Sequence, residues 1–119
     1  MERGPENKLL KDLVIFLEKA SKKNKAPIWL AVAKMLSAPR RQRIAVNIGR
    51  VSRFAKPGST VVIPGKLLCS GELEHKVNVA SFSAARGAEE KISKAGGKFM
   101  GIRELVESNP KGSGVVILR

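Results

Sequence analysis

The chain has 119 residues, 43% of them hydrophobic, enough for one domain with a modest core. Its 23 Lys and Arg outnumber 10 Asp and Glu, for a net charge of +13, a self-repulsion that a compact body carries badly unless a polyanion shares it. The longest apolar run, Ile28 to Ala33, is far short of a membrane span, Glu2, Glu6 and Asp12 make the N-terminus unlike a signal peptide, and a lone Cys69 excludes an internal disulfide.

In chain order, Pro5 suits a first helical position, and Leu9, Leu10, Leu13, Phe16, Leu17 and Ala20 recur at helical spacing. A helix over about 5–22 is expected, with Lys22 and Lys23 at its negative end and Asn24 closing it. Pro27 opens a second helix, buried on most sides, which Pro39 stops. Ile44, Val46 and Ile48 alternate as a short strand. The period then changes: Ile48, Val51 and Ala55 fall on one helical face and Arg50, Arg53 and Lys56 on the other, ended by Pro57-Gly58.

The second half reads as β with one main helix. Thr60 to Ile63 is a strand, Pro64-Gly65 a turn, and Leu67-Leu68 a resumed extended segment. Val77 and Val79 mark a further strand. Ser81 or Ser83 is expected to cap a helix running to about Ala95, with Gly87 inside it in close backbone contact. Ile102, Leu105 and Val106 make a short helix, residues 109–114 a turn-rich loop, and Val115 to Leu118 a closing strand. The expected organisation is a single α/β domain over 1–119, with a helical, strongly basic part (1–56) and a mixed part (57–119).

The charge is uneven. Residues 1–60 hold 14 basic and 4 acidic residues, and no acid lies between Glu18 and Glu72. Twelve basic residues fill that interval: Lys19, Lys22, Lys23, Lys25, Lys34, Arg40, Arg41, Arg43, Arg50, Arg53, Lys56 and Lys66. Surfaces built for solubility mix both signs, so a phosphate-contacting surface is expected, mainly from the N-terminal half.

Catalytic chemistry is not legible. One Cys and one His cannot furnish a structural zinc site. Cys69 reads as a small buried hydrophobe and His75 as a solvent-facing or hydrogen-bonding loop residue. Glu89-Glu90 reads as a solvated helix face, and no phosphate-binding loop of the nucleotidase type occurs. No catalytic residue, metal, cofactor or small-molecule substrate is expected. Aromatic residues are few, with Phe16, Trp29 and Phe54 at core-type positions. That favours recognition of folded RNA by shape and phosphate over base stacking.

Several runs resemble a known family. Ala26-Pro27-Ile28-Trp29-Leu30, Leu36, Pro39-Arg40-Arg41, Val46-Asn47 and Arg50-Val51 are similar to ribosomal protein eighteen-e of the archaeal and eukaryotic large subunit. So are Pro64 to Leu68, Gly71-Glu72-Leu73, Val77 to Ala80, Ala95-Gly96-Gly97 and Asn109 to Gly114, over about Leu9 to Arg119. Lys66 to Gly97 also resembles ribosomal protein fifteen of the bacterial large subunit. The resemblance implies an irregular β-β-α superhelical core with a helical, basic N-terminal part. It also implies an archaeal-type, cytoplasmic ribosomal role, with large-subunit ribosomal RNA and neighbouring ribosomal proteins as partners. Carried over by position, the RNA-contacting candidates are Arg40, Arg41, Arg43, Asn47, Arg50, Arg53 and Lys111. The acid-free interval adds Lys22, Lys23, Lys25, Lys56 and Lys66.

A DNA-binding architectural protein would use the same charge, but no groove-reading motif is recognisable. An RNA-modifying enzyme lacks a catalytic constellation.

Overall fold

The computed structural model describes residues 5–38 and 44–119. The expected stop at Pro39 and the candidates Arg40, Arg41 and Arg43 lie outside them. The chain divides into two compact units, one of residues 1–43 with Arg103–Ser113, the other of Ile44–Ile102 with Gly114–Arg119.

In the first unit, α1 (Pro5–Asn24) packs against α2 (Pro27–Leu36). Leu10, Leu13, Leu17 and Ala20 form one buried stripe, and Trp29, Val32, Ala33 and Leu36 are the buried side of α2. Leu9 and Ile15 are exposed, so the apolar face of α1 is narrower than its composition suggests. Leu30 is also exposed, leaving α2 less enclosed than expected. α1 ends at Asn24, as expected, and the residue after it makes the turn. Lys25 takes the left-handed conformation (φ 52°), and the Ala26 N–H donates to Ser21 O at 3.1 Å. Asn24 also donates its side-chain amide to Ala20 O at 3.0 Å. Pro27 stands at the start of α2, where its missing N–H removes no helical bond.

The second unit is a parallel sheet. β1 (Ile44–Asn47) runs into α3 (Ile48–Phe54), β2 (Thr60–Leu68) is the central strand, and β3 (Asn78–Ala84) is followed by α4 (Ala88–Lys94) and β4 (Phe99–Gly101). After α5 (Ile102–Ser108), which belongs to the first unit from Arg103 onward, the chain returns to this sheet as β5 (Val115–Ile117). The order is β1-β2-β3-β4, with β5 also on β2. Val46, Ile48, Val51, Val61, Ile63, Leu67, Val77, Val79, Ala88 and Ile92 form its core cluster. The expected α/β class is what the structure shows.

Three sequence expectations change. Pro64-Gly65 is no turn, because β2 continues through it to Leu68. β5 pairs with Thr60–Val62 and β1 with Gly65–Leu68, while the ladder to β3 shifts register between Ile63 and Lys66. Pro64 thus sits at the irregularity, where a residue without an N–H is tolerated. The helix expected from Ser81 or Ser83 begins only at Ala88, because both serines lie in β3. Ser81 folds its hydroxyl onto Ser83 O at 2.8 Å, satisfying a buried group inside the strand. Gly87 is not inside α4; it precedes it, at φ 87°. β4, only Phe99-Met100-Gly101, carries no strand pattern in the sequence and was not anticipated.

Gly65 is required by packing rather than by φ. A Cβ there would lie 2.1 Å from Ile44 O, on the strand that pairs with it. Gly65→Ala is expected to lower stability by about 1–3 kcal/mol, the range for overpacking, measured by urea denaturation. Wild-type stability would mean β1 shifts freely at this point.

Candidate nucleic-acid interface

Each unit gathers part of the predicted basic surface. In the first, Lys22, Lys23 and Lys25 are exposed around the C-terminal end of α1. Lys111 arrives from the loop after α5, its Nζ 3.3 Å from Asn24 O. That loop is held in place by Trp29, whose Nε1 donates to Pro110 O at 2.7 Å. Three neighbouring lysines and the distant Lys111 therefore share one end of α1, and cations suit the partial negative charge there.

In the second unit, a groove of about 360 Å³ is lined by Ala45, Asn47, Gly49, Arg50, Arg53, Ser70 and Gly71. No carboxylate is among them. The apolar face of α3, Ile48 and Val51, is buried in the core, which turns Arg50 and Arg53 outward. The other wall is the loop after β2, tied down at several points. Gly49 N–H donates to Ser70 O at 3.0 Å, and Ser70 N–H donates to Asn47 Oδ1 at 3.2 Å. Gly71 adopts φ 91°, and a Cβ there would lie 2.7 Å from Gly49 Cα, so the wall stands this close because residue 71 is glycine. Lys91 of α4 holds the loop from behind, donating to Cys69 O at 2.9 Å and pairing with Glu72 at 3.0 Å.

Asn47, Arg50 and Arg53 are thus brought together, and Lys66 is exposed on the strand beside them. Lys66 registers with Ala45, which places both on the groove's face of the sheet. Lys56 is exposed just beyond α3. Two details correct the sequence reading. Arg50 is not free: its Nε and Nη2 both donate to the backbone oxygen of Arg119, at 3.2 and 2.9 Å. Arg53 is the more exposed of the two.

Phe54 is not a core residue. It is 62% exposed, with the Arg50 and Arg53 guanidinium carbons 4.7 and 5.9 Å from its ring centroid. Phe16 is only half-buried, beneath Arg103 at 4.2 Å. Ser70, Gly71 and Lys91 were missed, because loop walls and their ties leave no periodic signal in the sequence.

Cys69 is half-buried against the core cluster rather than fully buried, and His75 Nε2 hydrogen-bonds with Ala55 O at 2.8 Å. Among the described residues no cluster of His, Cys, Asp and Glu could hold a metal, and no helix is long and apolar enough to cross a membrane.

The geometry is that of a cationic surface, and known proteins place the chain in a family. The family described as ribosomal protein 60S L18 and 50S L18e matches residues 3–119. The large ribosomal subunit protein eL18 of Pyrobaculum aerophilum is 47% identical over 115 residues, covering 97% of this chain and 94% of that protein. Its namesake in Archaeoglobus fulgidus is 45% identical over 112 residues, covering 94% and 96%. The one in Methanococcus maripaludis is 45% identical over 107 residues, covering 90% and 89%. With both the family pattern and these relatives spanning nearly its whole length, this chain belongs to the ribosomal protein L18 and L18e family.

Proposed function

We propose that the chain is a structural constituent of the large ribosomal subunit in the cytoplasm, binding folded large-subunit ribosomal RNA beside neighbouring ribosomal proteins. Its role is to hold RNA structure, not to catalyse a reaction. The observation that carries this reading is the acid-free groove lined by Asn47, Arg50 and Arg53. Guanidiniums fork onto phosphate oxygens. The lysines at the end of α1 supply further point charges, and counterion release makes such contacts favourable.

Binding to protein-free large-subunit RNA is therefore expected to weaken steeply with salt. The slope of log K against log salt should be several units, at roughly 0.7–0.9 per phosphate contact. Arg50→Ala combined with Arg53→Ala should weaken binding by about 1–3 kcal/mol and flatten the slope. Thermal stability should change little at Arg53, which is exposed. At Arg50 it should fall slightly more, because the two bonds to Arg119 are lost. A salt slope near zero, or a double variant that binds like wild type, would show that this face does not meet RNA.

A further inference from the structure

The same unit carries an apolar hollow of about 400 Å³ with Phe54 in its lining. Phe54, Ala55, Val61, Val116 and Leu118 supply its apolar lining, with Lys56 and Ser59 at the polar positions. Phe54 and Val116 are 62% and 55% exposed. Nothing in the packing of the unit requires a large aromatic ring at this position. The ring is neither buried nor part of the core cluster.

We propose that this hollow receives one unstacked nucleobase of the bound RNA, with Phe54 as its stacking surface and Arg53 and Lys56 on the flanking phosphates. The proposal rests on the RNA-binding reading above. Charge complementarity selects the occupant. Arg50 and Arg53 line the groove and also flank the Phe54 ring, while Lys56 lines the hollow itself. No carboxylate lines either cavity. A strand whose phosphates lie on those cations carries its bases within reach of the ring. A base extruded from folded RNA offers a flat π-face to an aromatic side chain and its polar edges to nearby hydroxyl and ammonium groups. An apolar protein segment would fill the hollow equally well, but it would leave Arg53 beside the ring and Lys56 in the lining without counter-charge.

The test uses the full chain with protein-free large-subunit ribosomal RNA, so no other protein can cover the hollow. Phe54→Leu keeps an apolar side chain and removes the ring; Phe54→Tyr keeps the ring. Affinity and its salt slope are measured for both, beside Arg53→Ala. Phe54→Leu should bind about tenfold more weakly, the scale of one stacked base, with the slope unchanged, since stacking releases no counterion. Phe54→Tyr should bind like wild type. Arg53→Ala should flatten the slope by about one phosphate contact. Short-wavelength cross-linking followed by peptide mass spectrometry should place a nucleotide on the peptide containing Phe54.

Should Phe54→Leu bind like wild type while Arg53→Ala flattens the slope, the base pocket is wrong and the RNA-binding reading stands. Equal weakening by Phe54→Leu and Phe54→Tyr also overturns the pocket, because stacking tolerates a hydroxyl. If wild-type binding shows no salt dependence, the RNA-binding reading itself fails. The exposure of Phe54 makes misfolding an unsuitable explanation, and circular dichroism of each variant checks this directly.

Discussion

Val51→Asp is expected to unfold the unit formed by Ile44–Ile102 and Gly114–Arg119. Val51 is fully buried, in a cluster with Val46, Ile48, Val61, Ile63 and Leu67. None of these side chains offers a hydrogen-bond donor to a carboxylate. Burying an unpaired charge there should cost about 3–5 kcal/mol, a large share of the 5–15 kcal/mol typical of whole-protein stability. Val51→Ala isolates the packing contribution. It removes two methyl groups and should cost about 1–3 kcal/mol, without a desolvation penalty. Urea titration followed by far-ultraviolet circular dichroism measures both. RNA binding should be lost with the fold in Val51→Asp and largely kept in Val51→Ala, the reverse of Arg53→Ala, where binding changes and stability does not. A Val51→Asp protein that melts like wild type would mean that α3 does not pack through this face, and the outward direction of Arg50 and Arg53 would lose its cause.

Trp29→Ala should destabilise the first unit by about 3–5 kcal/mol, the range for deleting a large buried aromatic. Trp29 is fully buried in α2, and its Nε1 donates to Pro110 O at 2.7 Å, across 81 positions of sequence. Two effects are combined in that number, and Trp29→Phe separates them. Phenylalanine retains most of the apolar volume but cannot donate, so it should cost about 1–3 kcal/mol for a carbonyl left unpaired. The same bond positions the loop that carries Lys111 to Asn24 O. Trp29→Phe should therefore also weaken RNA binding modestly at temperatures where the protein remains folded. Equal stability of Trp29→Phe and wild type would show that the Pro110 carbonyl finds water instead. Because Trp29 is the single tryptophan, circular dichroism rather than intrinsic fluorescence follows both variants.

Much of the architecture was legible because it rests on local signals. The apolar stripe Leu10, Leu13, Leu17 and Ala20 repeats at helical spacing. Pro27 marks the start of α2, and the change of period at Ile48 marks the switch from β1 to α3. The orientation of Arg50 and Arg53 followed from that same period, since the buried face of a seven-residue helix leaves little choice for the other. Phe54 misled because hydrophobicity was read as burial. One position beyond the stripe set by Ile48 and Val51, the helical rotation carries it outside the core, whatever its affinity for apolar surroundings.

Sequence alone determined the features that depend on composition and short-range periodicity. These are the acid-free basic interval, the two N-terminal helices, the outward arginines of α3 and the family resemblance. Tertiary structure decided whatever depends on which distant segments meet. Pro64-Gly65 has the composition of a turn, yet β2 runs straight through it, because β1, β3 and β5 all pair along its length and only a bulge is needed to absorb the missing N–H. The helical period turns Arg50 outward, but only the fold brings Arg119 from 69 positions away to accept two of its hydrogen bonds. The groove wall at Ser70-Gly71 stands where it does because Gly71, with no Cβ, can lie against the backbone of Gly49, 22 positions away. No local propensity encodes such meetings. They are selected by the burial and hydrogen bonding of the whole fold, which a residue's immediate neighbours in sequence do not report.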